Sequence, residues 1–246
     1  MDLSQQHRVD RVIIFTRYPE VGKAKTRLIP KLGSTIATYL HRRLAEYTLE
    51  QCRDWRSNSA DFSQTQKIIT VCFNGGDRAL MAAWLGDDLD YQIQGQGDLG
   101  EKIIRILQYL APSVLAQNLR QELALDLTPE TIIANRLVII GTDCPELKAT
   151  HLDQAFQMLG KKDLVLGKAE DGGYYLIGLK QVIPQLFQGI SWGSDRVFAE
   201  TVEIAKSLGL SIGYLPILRD IDRPEDLIYL LTLANFEDFI ELKNCE

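Results

Sequence analysis

Short apolar runs alternating with amphipathic stretches constrain this chain most. Residues 12–16 (VIIFT), 67–73 (KIITVCF) and 137–140 (LVII) are rich in Val and Ile and carry almost no internal polar groups. Runs of that length and composition read as strands buried on both faces. Between them the apolar period lengthens to that of a helix. Ile36, Leu40, Leu44, Tyr47 and Leu49 form one face of a helix over about residues 34–53, with Arg42, Arg43 and Glu46 outside. Asp77 is placed to cap a short helix through Leu85, and further helices are expected over about 101–119, 149–159, 195–208 and 226–236. Shorter strands fit residues 91–94, 164–167, 174–178 and 211–217, and residues 120–135 read as a surface connection.

This alternation predicts an α/β fold, a mainly parallel mixed sheet with helices on both faces. The strands at 164–167 and 174–178 are too close for a helical crossover, so an antiparallel element is expected there. No repeat, low-complexity tract or Pro/Gly/Ser linker interrupts the chain, so one domain over 1–246 with a polar tail of about residues 1–10 is expected. Hydrophobic residues make up 46% of the 246, enough for a sizeable core. A net charge of −6 argues against a general nucleic-acid binder. The opening MDLSQQHRVDR lacks the apolar core of a signal peptide, and no run approaches the roughly 18 apolar residues of a membrane span, so a cytoplasmic protein is expected. Cys52, Cys72, Cys144 and Cys245 are scattered without metal-ligand spacing and read as reduced thiols.

The polar loops between these elements carry the chemistry. In LVIIGTDCPEL (137–147), Asp143 lies just past a strand end, where open α/β sheets bind ligands, and Pro145 prevents the strand from continuing. A divalent metal carrying phosphates suits that carboxylate; a plain helix cap is the alternative. RYPEVGKAKTRL (17–28) sets Arg17, Lys23, Lys25 and Arg27 after the first strand, with Gly22 free to turn. Such a loop can wrap a pyrophosphate, although it lacks the GxxxxGK[ST] pattern and could be an ordinary solvated basic loop. GQGDLGEK (95–102) offers backbone N–H groups around Gly95, Gly97 and Gly100, or Asp98 only caps the next helix. Asp171, before Gly172-Gly173, is either a base or orienting group for a substrate, or part of a hairpin turn. Trp192 can stack on a sugar or base, or serve as core. Asp220 and Asp222 alternate along an extended stretch and can face one side, so Asp222 is either a second metal ligand or a cap. His7, His41 and His151 are assigned no catalytic role.

Taken in order, VIIFTRYPEVGKAKTRL, GQGDLGEK, GTDCPEL, DGGYYLIGL, SWGSDRVF and DIDRPEDL resemble the motifs of bacterial DUF2064 proteins over roughly residues 10–235. Those proteins are described as glycosyltransferases, with a subgroup linked to arsenosugar biosynthesis. They are similar in turn to the guanylyltransferases of molybdenum cofactor and cofactor F420 biosynthesis. The resemblance implies the nucleotide-diphospho-sugar transferase (GT-A, Rossmann-like) fold. It matches Lys23, Lys25 and Arg27 to a phosphate-binding loop, with Arg17 beside them where a Lys is usual. Gln96, Gly97 and Asp98 fall in the stretch expected near the nucleotide. Asp143 takes the DxD-like metal position and Asp222 the second acidic position, with Asp220 next to it; only one Asp of the D-x-D text is present.

The expectation is therefore a transferase using Mg²⁺ or Mn²⁺, a nucleotide or nucleotide-sugar donor and a small-molecule acceptor. Lys23 and Arg27 would stabilise the leaving group, Trp192 would stack on the donor, and Asp171 would activate the acceptor. Glycosyl transfer from a nucleoside diphosphate sugar, nucleotidyl transfer from an NTP, and non-catalytic binding of a nucleotide sugar all remain open at this level. The dense basic loop suits a triphosphate; the resemblance favours the sugar donor.

Overall fold

The computed structural model describes residues 8–58, 65–110, 134–233 and Phe236. Its seven strands are β1 (Arg8–Arg17), β2 (Thr65–Asn74), β3 (Asp90–Ile93), β4 (Ala134–Ile140), β5 (Leu164–Ala169), β6 (Tyr174–Leu179) and β7 (Ile212–Leu218). They form one sheet in the order β3-β2-β1-β4-β6-β5-β7. Neighbours are parallel except where β6 meets β4 and β5. The antiparallel element lies where the short connection at 170–173 requires it.

Both faces of the sheet are covered, which explains why the central strands lack alternation. On one face, Cys52 and Trp55 of α1 (Ile29–Ser57) and Leu152 and Phe156 of α4 (Ala149–Leu159) pack on Val12, Val71 and Val138. The Trp55 and Phe156 rings stack at 4.9 Å. On the other face, Ile103 and Leu107 of α3 (Leu99–Tyr109) and Ala205 of α5 (Val197–Ser207) pack on Ile13, Ile139 and Ile177. The short helix α2 (Arg78–Leu85) starts at Asp77, whose carboxylate accepts from the Leu80 N–H at 2.9 Å, as its sequence position suggested.

A third cluster matters most for the site. Leu28, Leu32, Leu40 and Leu44 pack with Ile221, Leu227 and Leu230, the last two from α6 (Leu227–Leu230). Each buried aliphatic side chain contributes about 1.5–3 kcal/mol. This packing draws the segment after β7 against the segment after β1. Two loops nearly 200 residues apart in sequence thereby share one edge of the sheet.

Some boundaries differ from expectation. β1 begins at Arg8, so the polar tail is shorter than ten residues. The Asp10 side chain is buried and forms a two-pronged ion pair with Arg136, one arm at 2.7 Å, which lets a polar stretch enter the core. Helix α1 contains a break at Gly33 (φ 72°), so regular helix resumes at the expected Ser34. The last helical segment is short: a 3₁₀ turn at Pro224–Asp226, then α6. The second half of the helix expected over 101–119 and nearly all of the 120–135 connection lie outside the described residues.

Strand β1 connects onward to β2 on one side, while β4 lies on its other side. The strand order therefore reverses between β1 and β4, and the crevice at their carboxyl ends is where such sheets bind ligands. Arg17 closes β1 there, and Asp143 follows β4.

Candidate active site

The loop after β1 is braced into a fixed shape. The Tyr18 N–H reaches the Asn74 carbonyl at 2.9 Å, and the Lys23 N–H reaches the Glu20 carbonyl at 3.0 Å. The Arg17 guanidinium donates to the Lys23 carbonyl. His41 Nε2 donates to the Arg17 carbonyl at 3.0 Å, an assignment forced because a carbonyl only accepts. Burial lowers the His41 pKa, so the ring is neutral near pH 7. Among the described residues, Lys25 is the only non-glycine with positive φ (48°). A left-handed non-glycine residue costs about 1–2 kcal/mol, and such strain is concentrated at functional sites.

That backbone turn drives the Lys25 side chain inward, to 3% exposure. Its ammonium lies 2.7 Å from Asp143 Oδ1 and 3.9 Å from Asp222 Oδ1, and it donates to the Ile221 carbonyl. Arg27 pairs with the other oxygen of Asp222. The segment after β7 is tied to the same point: the Ile221 N–H donates to the Asp143 carbonyl at 2.8 Å, and the Arg219 N–H to Glu146 Oε2 at 3.1 Å. The Asp226 carboxylate holds the N–H groups of Asp222 and Arg223 at 3.0 and 2.7 Å.

Charge is unevenly compensated here. Burial pushes the Asp143 carboxyl up, but the Lys25 ammonium more than offsets this and leaves its pKa lowered. Among the described residues Asp220 has no such partner. Burial, then the neighbouring Asp171 and Asp143 charges, push it up to about 6.

Two cavities meet at the Arg27–Asp222 pair. One, of about 490 Å³, is lined by Arg17, Lys23, Lys25, Arg27, Lys102 and Asp143, and reaches Thr16, Asn74 and Gln94 at its far end. The other, of about 620 Å³, is lined by Glu170, Asp171, Asp195, Asp220 and Asp226 together with Arg219 and Arg223. Arg27 and Asp222 line both. The first cavity has an excess of cations, the second an excess of carboxylates. Arg219 is already engaged by Glu170 at 2.7 Å. The turn bearing Asp171 is fixed by Gly172, where φ is +92° and an added Cβ would lie 2.1 Å from the Asp195 carbonyl oxygen. Asp171 Oδ1 accepts from the Gly173 N–H at 2.8 Å, so the hairpin-turn reading holds alongside any role in the cavity.

Of the residues singled out from sequence, Arg17, Lys23, Lys25, Arg27, Asp143 and Asp222 come together in the first cavity, and Asp171, Asp220 and Asp222 in the second. Gln96, Gly97, Asp98 and Trp192 line neither. Asp98 and Glu101 form a reciprocal cap at the start of α3, which occupies the Asp98 carboxylate. Arg105 draws the Gln96 carbonyl (2.9 Å) toward α3, and Gly97 lies against Glu101. Trp192 is half-buried and packs against the core beside Tyr174 and over Gly100. Sequence reasoning missed Thr16, Asn74, Gln94, Lys102, Arg219 and Arg223. Thr16, Asn74, Gln94 and Arg219 lie at or beside a strand's carboxyl end and Arg223 five residues past one, whereas Lys102 lies in the first turn of α3.

Among the described residues, no group of three His, Cys, Asp or Glu side chains could by itself hold a metal ion. Mg²⁺ does not require one: it takes one or two carboxylates and completes its shell with water and substrate phosphates. Asp143 and Asp220 supply hard oxygen donors, and the unrelieved charge at Asp220 is what a divalent cation would neutralise. Asp222 fits less well as a ligand, because both of its oxygens face cations, Oδ2 paired with Arg27 and Oδ1 3.9 Å from Lys25, whereas Asp143 is engaged through Oδ1 alone.

The sequence model of DUF2064, described as an uncharacterized protein conserved in bacteria, matches residues 61–194. Among solved structures, a candidate nucleotide-diphospho-sugar transferase from Desulfovibrio desulfuricans G20 is similar with a TM-score of 0.74 and 26% identity, over 96% of this chain and 95% of its own. The 4-diphosphocytidyl-2C-methyl-D-erythritol synthase of Anaerococcus prevotii DSM 20548 gives a TM-score of 0.54 at 11% identity, over 94% and 99%. A CMP:2-keto-3-deoxy-manno-octonic acid synthetase complexed with CTP gives 0.50 at 9% identity, over 93% and 99%. The latter two share the fold. No curated protein matches this chain.

Proposed function

Because this chain belongs to the DUF2064 family, and a cationic cavity meets an acid-lined one at Arg27 and Asp222, we propose that it is a glycosyltransferase. It moves a sugar from a nucleoside diphosphate donor in the first cavity to a hydroxyl of a small acceptor in the second. The observation that carries this reading is the sign of the second cavity. Carboxylates outnumber arginines there, and two of the three arginines are already paired. Such a surface repels a phosphorylated acceptor and suits a neutral hydroxyl compound, whose O–H groups donate to carboxylates.

Lys23, Lys25 and Arg27 bind the donor pyrophosphate and stabilise the charge that develops on the departing nucleoside diphosphate. Lys25 exchanges Asp143 for phosphate oxygens as the donor enters. Arg27, on the boundary, contacts the phosphate nearest the transferred sugar. Asp171 accepts the proton of the acceptor hydroxyl, held in place by the Gly172 turn. A Mg²⁺ or Mn²⁺ ion, when bound with the donor, would be held by Asp143 and Asp220 and would supply Lewis-acid stabilisation of the leaving group.

One observation favours a second reading. The first cavity gathers more cations than a diphosphate requires, which suits a triphosphate and hence nucleotidyl transfer. The products separate the two. Incubation with Mg²⁺ or Mn²⁺, a panel of nucleotide sugars and NTPs, and polyhydroxy acceptors is expected to release nucleoside diphosphate in an acceptor-dependent way. Asp171→Asn should lose turnover while keeping donor affinity. Acceptor-dependent pyrophosphate from an NTP would replace the first reading with the second, and tight binding without turnover across the panel would support a non-catalytic binding protein.

A further inference from the structure

The peptide joining Arg17 to Tyr18, where the chain leaves β1 for the basic loop, is held from both sides. Its N–H, on Tyr18, donates to the Asn74 carbonyl at the end of β2 at 2.9 Å. Its carbonyl, on Arg17, accepts from His41 Nε2 at 3.0 Å. Pro19 comes next and has no N–H, so it cannot donate to the ladder with β2. The orientation of this one peptide plane sets the direction in which the loop starts.

The bond to Asn74 is ordinary strand pairing; the bond to His41 is not. His41 lies 24 residues after Arg17, on the helix α1 into which the loop runs, so the bond ties the loop's start to the element at its far end. The side chain is 5% exposed and lines the first cavity. Its ring tilts against Trp84 of α2 at 6.4 Å. Trp84 is itself fixed, with Nε1 donating to Glu46 Oε1 at 2.9 Å and its ring edge-on to Tyr18 at 6.2 Å. An apolar ring would serve such packing as well, whereas a buried imidazole is unfavourable unless its N–H is used. Here that N–H is aimed at the loop's first carbonyl. From there the Arg17 guanidinium donates to the Lys23 carbonyl, and the left-handed turn at Lys25 sends its ammonium inward. A displacement at Arg17 is passed on to both lysines.

We propose that His41 is a positioning residue for the donor phosphates: by holding the Arg17 carbonyl it fixes where the basic loop leaves the sheet, and through that loop the places of Lys23, Lys25 and Arg27. This rests on the reading of the first cavity as the donor pyrophosphate site. A loop already in its binding shape loses less freedom when the ligand enters, so the effect of His41 falls on phosphate affinity. Proton transfer at Asp171 does not depend on it.

The test is calorimetric titration of the intact protein, with Mg²⁺, using inorganic pyrophosphate and ADP, CDP, GDP and UDP. Wild type is compared with His41→Gln, His41→Asn and His41→Phe. Gln carries an amide N–H at the reach of imidazole Nε2, Asn stops short of it, and Phe has no donor. The Asn and Phe variants are expected to bind pyrophosphate and the tightest nucleoside diphosphate about tenfold or more weakly, and Gln to stay within about threefold of wild type. Cys52→Ala, which opens a small void under the same helix, should bind as wild type does. On the wild-type protein, imidazole nitrogen NMR at pH 7.5 should show the His41 proton on Nε2, a measurement that needs no variant to fold. Unchanged affinity in the Asn and Phe variants, an equal loss in Gln or in Cys52→Ala, or a ring protonated on Nδ1 would overturn the assignment and leave the donor site standing. If the wild type binds none of these ligands, the donor-site reading falls and the assignment with it.

Discussion

The crowded carboxylate at Asp220 gives a prediction in which stability and function move in opposite directions. Its pKa is pushed up to about 6, first by burial and then by Asp171 and Asp143. A displacement from the ordinary value near 3.9 to about 6 corresponds to about 3 kcal/mol of unfavourable interaction for the charged form. Partial solvent screening reduces this to about 1–2 kcal/mol. A carboxyl whose pKa is raised in the folded state contributes stability that is complete below pH 4 and is lost as pH rises through 6. Asp220→Asn removes the charge and should therefore stabilise the protein at pH 7.5 by about 1–2 kcal/mol. For a domain of this size that is about 2–8 °C in Tm. At pH 3.5 the carboxyl is protonated in the folded and the unfolded chain alike, and the two proteins should melt together. Thermal unfolding at the two pH values, with and without Mg²⁺, reads this directly. Mg²⁺ with a nucleoside diphosphate should raise the Tm of the wild type more than that of the variant, and the variant should lose turnover. An unchanged or lower Tm at pH 7.5, or the same gain at both pH values, would show that Asp220 is not an uncompensated charge and would remove it as a candidate metal ligand.

Three further outcomes are expected. Lys25→Met should weaken nucleoside diphosphate binding by at least a hundredfold and destabilise the fold by about 1–3 kcal/mol, since Asp143 and the Ile221 carbonyl lose their shared donor. Because Lys25 holds the Asp143 pKa down, that stability difference should be complete at pH 7 and shrink below pH 4, measured by urea unfolding across pH. Arg136→Met should strand the buried Asp10 carboxylate and cost about 3–5 kcal/mol, yet leave nucleotide affinity unchanged, because the pair lies about 23 Å along β1 from Arg17. Gly172→Ala should destabilise by more than about 2 kcal/mol and lower kcat with little change in donor Kd, since the turn that carries Asp171 cannot accept a Cβ beside the Asp195 carbonyl.

The strands were legible because their composition is extreme. Val12, Ile13 and Ile14 are all buried, and no other element tolerates such runs between glycine and polar loops. The antiparallel β6 followed from connection length alone. The basic loop and Asp143 stood out as candidate ligand residues because charge just past a buried strand has few structural uses. Their pairing was not. That the Lys25 ammonium contacts Asp143 depends on a left-handed backbone turn and on Leu28 and Leu32 packing against Ile221 and Leu227. Both are tertiary facts. Asp98 and Trp192 show the converse. A cap and a half-buried aromatic use the same residue types as a binding loop, and the reciprocal Asp98–Glu101 bonds and the packing of Trp192 are tertiary facts that the sequence does not show.

The account turns on which bond of the donor breaks. Phosphorus NMR of one reaction tests it most directly: the protein with Mg²⁺ or Mn²⁺, the nucleotide sugar it binds most tightly, and a polyhydroxy acceptor. The account predicts conversion of the donor signals to the α and β doublets of a free nucleoside diphosphate, only when acceptor is present and not with Asp171→Asn. Unchanged donor signals there, with a pyrophosphate singlet in a parallel reaction that supplies an NTP and a phosphorylated acceptor instead, would contradict it.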